Sequence, residues 1–171
     1  MKEFPDEVGM HFCLEGSPVS SIPQGNGNVN DTFLLSCEKD GRLNRYTVQR
    51  INHDVFKDPE GLMENFSRVT AHLRNKLSGK SSPRQSLHLV PAIDGRSFVR
   101  DSEGNYWRAM NFIDGSESLD VPQNTRQAYE AAKAFGEFQA NLSDLPGDPL
   151  VETIPDFHNT RKRFEHFCAV V

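Results

Sequence analysis

A glycine-rich turn with polar flanks contains the residue types in this sequence that are best suited to chemistry. Two glycines lie two residues apart, among three asparagines and an aspartate. These residues are Gly25, Asn26, Gly27, Asn28, Asn30 and Asp31. Glycine adopts positive φ angles, and its lack of a side chain lets backbone amides approach a phosphate oxygen. The turn therefore indicates phosphate binding, although a simple hairpin turn rich in Gly and Asn has the same composition.

Extended segments and a helix must position this turn. Residues 32–38 and 45–51 are rich in β-branched, aromatic and aliphatic side chains, and Lys39-Asp40-Gly41-Arg42 between them is typical of a hairpin turn. Asp58-Pro59-Glu60 predicts the start of a helix. Apolar residues then recur with helical spacing at Leu62, Phe66, Val69, Leu73 and Leu77.

The remaining patterns complete a plan with a sheet first and helices afterwards. A helix is predicted from about Glu7 to Leu14, with Gly16 as its C-cap residue, and strands are predicted at 87–93, 97–101 and 106–113. Beyond Asp114-Gly115-Ser116 the pattern becomes helical, with helices predicted at 124–142 and from 160 onward. This order predicts an α+β fold in two parts. Residues 1–114 form a protein kinase-like, nucleotide-binding amino-terminal lobe with an antiparallel β-sheet and one main helix. Residues 115–171 contain the hinge exit and the first helices of an incomplete carboxy-terminal lobe.

Composition and charge exclude several classes of partner. The net charge of -5 argues against nucleic acid, because proteins that bind polyanions concentrate basic residues on one surface. The amino terminus has no long apolar run behind a basic start, so neither a signal peptide nor a membrane partner is predicted and the expected location is cytoplasmic. Cys13, Cys37 and Cys168 lack paired spacing, which predicts reduced, buried thiols rather than a disulfide framework or a metal site.

Several motifs in one order carry a family resemblance. They are Gly25 to Thr32, Arg45 to Asn52, Trp107-Arg108 with Phe112-Ile113, and Glu152-Thr153-Ile154 through Phe157-His158. Together they resemble the N-acetylhexosamine 1-kinase family, within the wider aminoglycoside phosphotransferase and choline kinase-like superfamily. The likeness runs over nearly the whole chain, from Phe12 to Glu165. It implies ATP and Mg²⁺ as cofactors, and transfer of the γ-phosphoryl group to the anomeric hydroxyl of an amino sugar.

The resemblance also implies roles for individual residues. The glycine turn would close over the phosphates, and the end of the last strand would bind adenine through the backbone of Asn111 and Ile113. Protein kinases anchor phosphate with a Lys on the third strand and a Glu on the next helix. Here two pairings stay open, a neutral Gln49 with Asn65, which the resemblance favours, or a charged Arg50 with Glu64. The candidate nucleotide-binding residues are Gly25, Asn26, Gly27, Asn28, Asn30, Gln49, Asn65, Asn111 and Ile113.

The catalytic motif of the superfamily is missing from this sequence. Such kinases carry a His, then Gly or Asn, then Asp, and a later Asp that holds magnesium. None of the six histidines begins that motif; His158-Asn159 continues to Thr160. We therefore expect the chain to correspond to the amino-terminal half of a kinase, with no catalytic or metal-binding residue of its own and no activity alone. The alternatives are an interaction module that self-associates through its exposed lobe interface, or a kinase for an aminoglycoside, choline or homoserine.

Overall fold

The chain forms a six-stranded sheet and four helices, in a computed structural model that describes residues 4–25, 29–77, 87–117 and 119–171. In chain order these are α1 (Asp6–Met10), β1 (Ser17–Pro23), β2 (Asp31–Lys39), β3 (Arg42–Ile51), α2 (Pro59–Leu77), β4 (Leu89–Val90), β5 (Val99–Arg100), β6 (Tyr106–Asn111), α3 (Thr125–Leu142) and α4 (Thr160–Val170). The order agrees with the sequence prediction of a sheet with one main helix, although no bounds are predicted for β1. However, β4 and β5 contain two residues each, far fewer than the segments predicted there.

The sheet is antiparallel throughout. Its strand order is β1-β2-β3-β6-β4, and β5 also pairs with β6. The hairpin between β2 and β3 turns at Asp40 and Gly41, whose φ angles are 52° and 73°. Positive φ at both positions matches the twist of a two-residue hairpin. With α2 between β3 and β4, the structure confirms the predicted α+β fold of a kinase-like amino-terminal lobe.

One face of the sheet carries the main apolar core. Phe33 and Trp107 lie at its centre and pack against Phe4 and Val8 from the amino-terminal segment. Trp107 is only 2% exposed, and the ring centroids of Phe4 and Phe33 lie 5.7 and 6.0 Å from its own. Large aromatic side chains bury much apolar surface, so this cluster is a principal source of the stability of the sheet.

Helix α2 covers the opposite face of the sheet. It begins as predicted, because Asp58 Oδ1 accepts a hydrogen bond from the Gly61 N–H at 2.9 Å and so caps the first turn. Met63 is fully buried and packs in a second cluster with Ile51 and Phe98. The predicted stripe begins at the neighbouring residue, Leu62, which is partly buried and packs against the same cluster.

The amino-terminal helix is shorter than predicted. It ends at Met10 because Phe12 forms a β-bridge with Ala92 and so leaves the helical conformation. Gly16 is therefore not a helix cap; it leads into β1. Its φ angle is 100°, and a Cβ atom there would lie 2.4 Å from a carbonyl oxygen of β2. Close approach of two backbones, rather than helix termination, requires glycine at this position.

Helices α3 and α4 form as predicted, but their apolar side chains lie on the surface. Asn124 and Asn159 cap them by accepting hydrogen bonds from the backbone N–H groups of Gln127 and Lys162. Neither helix has a buried residue. Phe135, for example, is 72% exposed. Within the ranges that the structure describes, no helix combines the length and apolar character needed to cross a membrane.

The three cysteines are free thiols in different surroundings. Cys37 is buried in the sheet, and burial raises its pKa. Cys13 and Cys168 are exposed, so the prediction that all three are buried is wrong for these two. Cys13 lies beside the bridge to Ala92, and Cys168 lies on α4, whose residues are all exposed.

Candidate functional site

The predicted glycine turn joins β1 to β2 at one end of the sheet. The Gln24 N–H donates to the Thr32 carbonyl at 2.8 Å and closes the base of the turn. Gly25 has a φ angle of 78° and is exposed, with no atom within 4 Å of the place where a Cβ would stand. Asn26, Gly27 and Asn28, three of the predicted nucleotide-binding residues, lie outside the described residues.

Asn30 and Asp31 tie this turn to the end of β3. Asn30 Oδ1 accepts a hydrogen bond from the Asn52 N–H at 3.0 Å. Asp31 forms an ion pair with Arg50 directly across the two strands. These two partners lie about twenty residues away in the chain, because antiparallel pairing brings the end of β3 next to the start of β2.

Gln49 and Arg50 of β3 point to opposite faces of the sheet, as strand alternation requires. Arg50 pairs with Asp31, and Glu64 of α2 is exposed, so the charged Arg50–Glu64 pairing is not formed. Gln49 lies on the face covered by α2. Its Nε2 donates to Thr32 Oγ1 at 3.0 Å, and its Oε1 accepts from Arg108. The helix residue Asn65 is not among its partners.

Asn65 instead joins α2 to the segment that follows α3. Its Nδ2 donates to the Val151 carbonyl at 2.8 Å, and its Oδ1 accepts from the Val151 N–H at 2.9 Å. One turn further along, Arg68 Nη2 donates to the carbonyls of Pro146 and Asp148 at 3.0 and 2.7 Å. These contacts hold the 146–151 segment against α2.

Arg108 of β6 is the charged residue that contacts Gln49, one of the predicted nucleotide-binding residues. Its Nε and Nη2 donate to Gln49 Oε1 at 3.0 and 2.8 Å, and its guanidinium carbon lies 4.5 Å from the centre of the Phe66 ring. Nη1 is buried and has no hydrogen-bond partner among the residues that the structure describes. Burial lowers the pKa of Arg108 to about 10. Such a group is costly to bury, which makes it a candidate for a functional role.

The sequence prediction did not select Arg108. Its neighbours in the chain are the core residues Trp107 and Ala109, so the local pattern is that of a strand. The relevant signal is the register in which Gln49 of β3 lies opposite Arg108 of β6. That register pairs two residues that are 59 positions apart in the chain, and no local pattern contains it.

The segment predicted to bind adenine consists of the end of β6 and the residues just after it. The Asn111 N–H donates to the His88 carbonyl at 3.2 Å, and Asn111 Oδ1 accepts from the His88 N–H at 2.8 Å. The Ile113 carbonyl accepts from the Ser116 hydroxyl at 2.8 Å. Within the described part of the chain, the Ile113 N–H has no partner. Of the two predicted hinge residues, Ile113 thus presents an available backbone donor.

Comparisons with known proteins agree with this arrangement. The model of the phosphotransferase enzyme family matches residues 22–170. The crystal structure of a spectinomycin phosphotransferase, in complex with ADP and spectinomycin, has a similar fold, with a TM-score of 0.52 and 10% sequence identity. That match covers 84% of this chain and 37% of the phosphotransferase, and at this identity it shows the fold alone. Because the family match extends from β1 into α4, this chain belongs to the phosphotransferase enzyme family.

Proposed function

We propose that this chain is the nucleotide-binding, amino-terminal portion of an ATP-dependent phosphotransferase that acts on a small molecule. One observation carries the proposal. The glycine turn, Gln49 of β3 and the end of β6 lie on one kinase-like sheet, and the chain belongs to the phosphotransferase enzyme family. Phosphoryl transfer needs alignment of donor and acceptor, together with compensation of phosphate charge. Residues 1–114 would form the nucleotide-binding lobe, and residues 115–171 would begin the lobe that binds the acceptor.

Adenine would bind at the end of β6. An adenine edge offers hydrogen-bond acceptors, and the Ile113 N–H is a backbone donor with no partner among the residues described. Arg45 stabilises this segment, because it pairs with Asp114 and its guanidinium carbon lies 5.2 Å from the centre of the Phe112 ring. We assign adenine recognition to Ile113 and Asn111, and phosphate recognition to the glycine turn. The nucleotide-binding roles of Gln49 and Asn65 stay predictions, since both ends of each amide already have partners within the chain.

The family resemblance implies magnesium as a cofactor. None of the described His, Cys, Asp and Glu side chains form a group of three that could hold a metal ion. The sequence also lacks the His-x-Asp motif of the superfamily. We therefore assign the catalytic Asp and the magnesium ligands to residues outside this chain, and we assign no catalytic step to the chain itself.

The acceptor that we favour is an amino sugar, phosphorylated at its anomeric hydroxyl. The support is the sequence resemblance to the N-acetylhexosamine 1-kinases. The spectinomycin phosphotransferase binds a different small molecule, so an aminoglycoside is the first alternative. A kinase screen of the full-length gene product against N-acetylhexosamines, aminoglycosides, choline and homoserine separates these acceptors. Phosphorylation of an aminoglycoside but no hexosamine would reject the amino-sugar assignment.

A second candidate function is an interaction module without catalysis. The exposed aromatic side chains of α3 and α4 favour it, because surface patches of this kind mark binding sites for other proteins. The two candidates differ in nucleotide affinity. An interaction module would self-associate or bind a partner without binding ATP.

Nucleotide binding is tested directly by titrating the chain with a fluorescent ATP analogue and displacing it with ATP. We expect saturable binding that Gly25→Ala weakens about fivefold, because alanine at positive φ costs about 1 kcal/mol and shifts the turn. Gly95→Ala is the matched control. Gly95 also has positive φ and open space around it, but it lies in the turn between β4 and β5. Absence of saturable binding by the unsubstituted chain would reject the proposed function.

A further inference from the structure

Three polar side chains form a continuous row across the sheet on the face covered by α2. Thr32 of β2 lies opposite Gln49 of β3, and Gln49 lies opposite Arg108 of β6. Arg108 donates twice to Gln49 Oε1, and Gln49 Nε2 donates to Thr32 Oγ1 at 3.0 Å. Phe66 of α2 covers the guanidinium at the end of the row.

The chemistry of Arg108 fixes the direction of every hydrogen bond in this row. A guanidinium only donates, so the amide oxygen of Gln49 must face it. The amide nitrogen of Gln49 must then face Thr32, and the Thr32 hydroxyl must accept from it. A hydroxyl that accepts on one side still has one hydrogen to donate. In the described part of the chain, no acceptor takes that hydrogen.

Thr32 also lies at the base of the glycine turn. It lines a small hollow there with Gln24, Gly25, Asn30 and Asp31, whose carboxylate is paired with Arg50. The row therefore runs from a partly buried positive charge to the place where the proposed function puts phosphate. This geometry requires an amide at position 49, because the side chain must accept from Arg108 and donate to Thr32. A carboxylate there would only accept, and the Thr32 hydroxyl would turn inward to donate to it.

We infer that Arg108 and Gln49 position the Thr32 hydroxyl to donate a hydrogen bond to a phosphate oxygen of the nucleotide, and this inference rests on the proposed function. The row occupies the place where protein kinases use a Lys of the third strand. Thr32 makes the contact with phosphate. Gln49 and Arg108 act through it as positioning residues, and the guanidinium adds positive charge behind the contact.

Titration of the 171-residue chain with a fluorescent ATP analogue tests the role of Thr32. Thr32→Val removes the hydroxyl and keeps the shape, and we expect it to weaken binding about tenfold, as for loss of a hydrogen bond to a charged group. Thr32→Ser keeps the hydroxyl and should bind within about twofold of the unsubstituted chain. Equal binding by the Val variant overturns the inference and leaves nucleotide binding intact. Absence of binding by the unsubstituted chain overturns the proposed function as well.

Gln49→Glu separates positioning from a purely structural role. The new carboxylate pairs with Arg108, so we expect a higher midpoint of thermal unfolding together with weaker nucleotide binding. A purely structural role predicts no loss of binding. The added negative charge also repels phosphate, and a double-mutant cycle removes that effect. In the Gln49→Glu background, Thr32→Val should weaken nucleotide binding less than about twofold, because the hydroxyl already faces inward. A full tenfold loss in that background overturns the positioning role.

Discussion

At the scale of single residues, Asp101 shows how one carboxylate organises the loop before β6. Its Oδ2 accepts hydrogen bonds from Trp107 Nε1 at 2.7 Å and from Asn105 Nδ2 at 2.9 Å, while Oδ1 accepts from the backbone N–H groups of Glu103 and Asn105. Burial alone would raise the pKa of Asp101. The hydrogen bonds outweigh burial, and the pKa is lowered. The ionised form is therefore the one that the folded chain stabilises.

Replacing this carboxylate should make stability depend less on pH. A group whose pKa is lower in the folded state than in the unfolded state stabilises the fold at pH values above its unfolded pKa, which is about 3.9 for Asp. That contribution is lost as the pH falls through the pKa of the folded state. We expect Asp101→Asn to lower the midpoint of thermal unfolding by about 2–5 °C at pH 7. The deficit should shrink towards pH 3.

Thermal unfolding of both chains at pH 7 and pH 3 checks this expectation. Asp120→Asn is the control, since Asp120 is an exposed aspartate outside the core. A deficit of the same size at both pH values would contradict an electrostatic contribution from Asp101.

At the scale of elements, α2 connects the sheet to the segment after α3. It packs on Ile51 through Met63, and Asn65 and Arg68 bind the backbone of residues 146–151. Lys76 Nζ donates to the Asn141 carbonyl and pairs with Asp144, and this pairing lowers the pKa of Asp144. A helix held on both sides is poorly placed to move independently of either.

Arg68→Ala should release the 146–151 segment from α2. The variant leaves two backbone carbonyls without their donor, so we expect amide hydrogen exchange in residues 145–151 to become several-fold faster. The unfolding midpoint should change little, since the contact is exposed. Arg74→Ala, on an exposed position of the same helix, is the matched control. Unchanged exchange in Arg68→Ala would show that other contacts hold the segment.

The sequence predicts well those helix ends and turns that are set by residues close together in the chain. The capped start of α2 at Asp58 and the turn at Asp40-Gly41 depend on neighbouring residues alone. The short β4 and the early end of α1 depend on partners from distant parts of the chain, such as Ala92 opposite Phe12. The same distinction holds for the site. The glycine turn is visible in the sequence, whereas the Gln49–Arg108 contact exists only through strand register.

At the scale of the whole molecule, most of the exposed aromatic side chains among the described residues lie on the two last helices. Phe135 of α3 and Phe164 and Phe167 of α4 are 72%, 65% and 58% exposed. Exposed aromatic side chains in this number favour contact with another apolar surface. The self-association predicted from the sequence would bury these side chains between two copies of the chain.

Polar substitutions on these helices should therefore reduce self-association. We expect the double variant Phe135→Gln, Phe164→Gln to sediment as a smaller species than the unsubstituted chain at the same concentration, because glutamine keeps helix propensity and removes apolar area. Sedimentation velocity over a range of concentrations measures this. Leu43→Gln, at a 63% exposed position on the β2–β3 hairpin, should have no such effect. A monomeric unsubstituted chain, or equal association in all variants, would contradict the prediction.

The single tryptophan of this chain gives the molecule an intrinsic optical reporter. Trp107 is enclosed by Phe4 and Phe33, and it lies on the face of the sheet opposite Gln49 and Arg108. Its fluorescence emission should be blue-shifted in the folded chain and move to longer wavelength when the core opens. A nucleotide bound on the opposite face should leave that emission nearly unchanged. Folding and ligand binding can thus be followed as separate signals in one unlabelled sample.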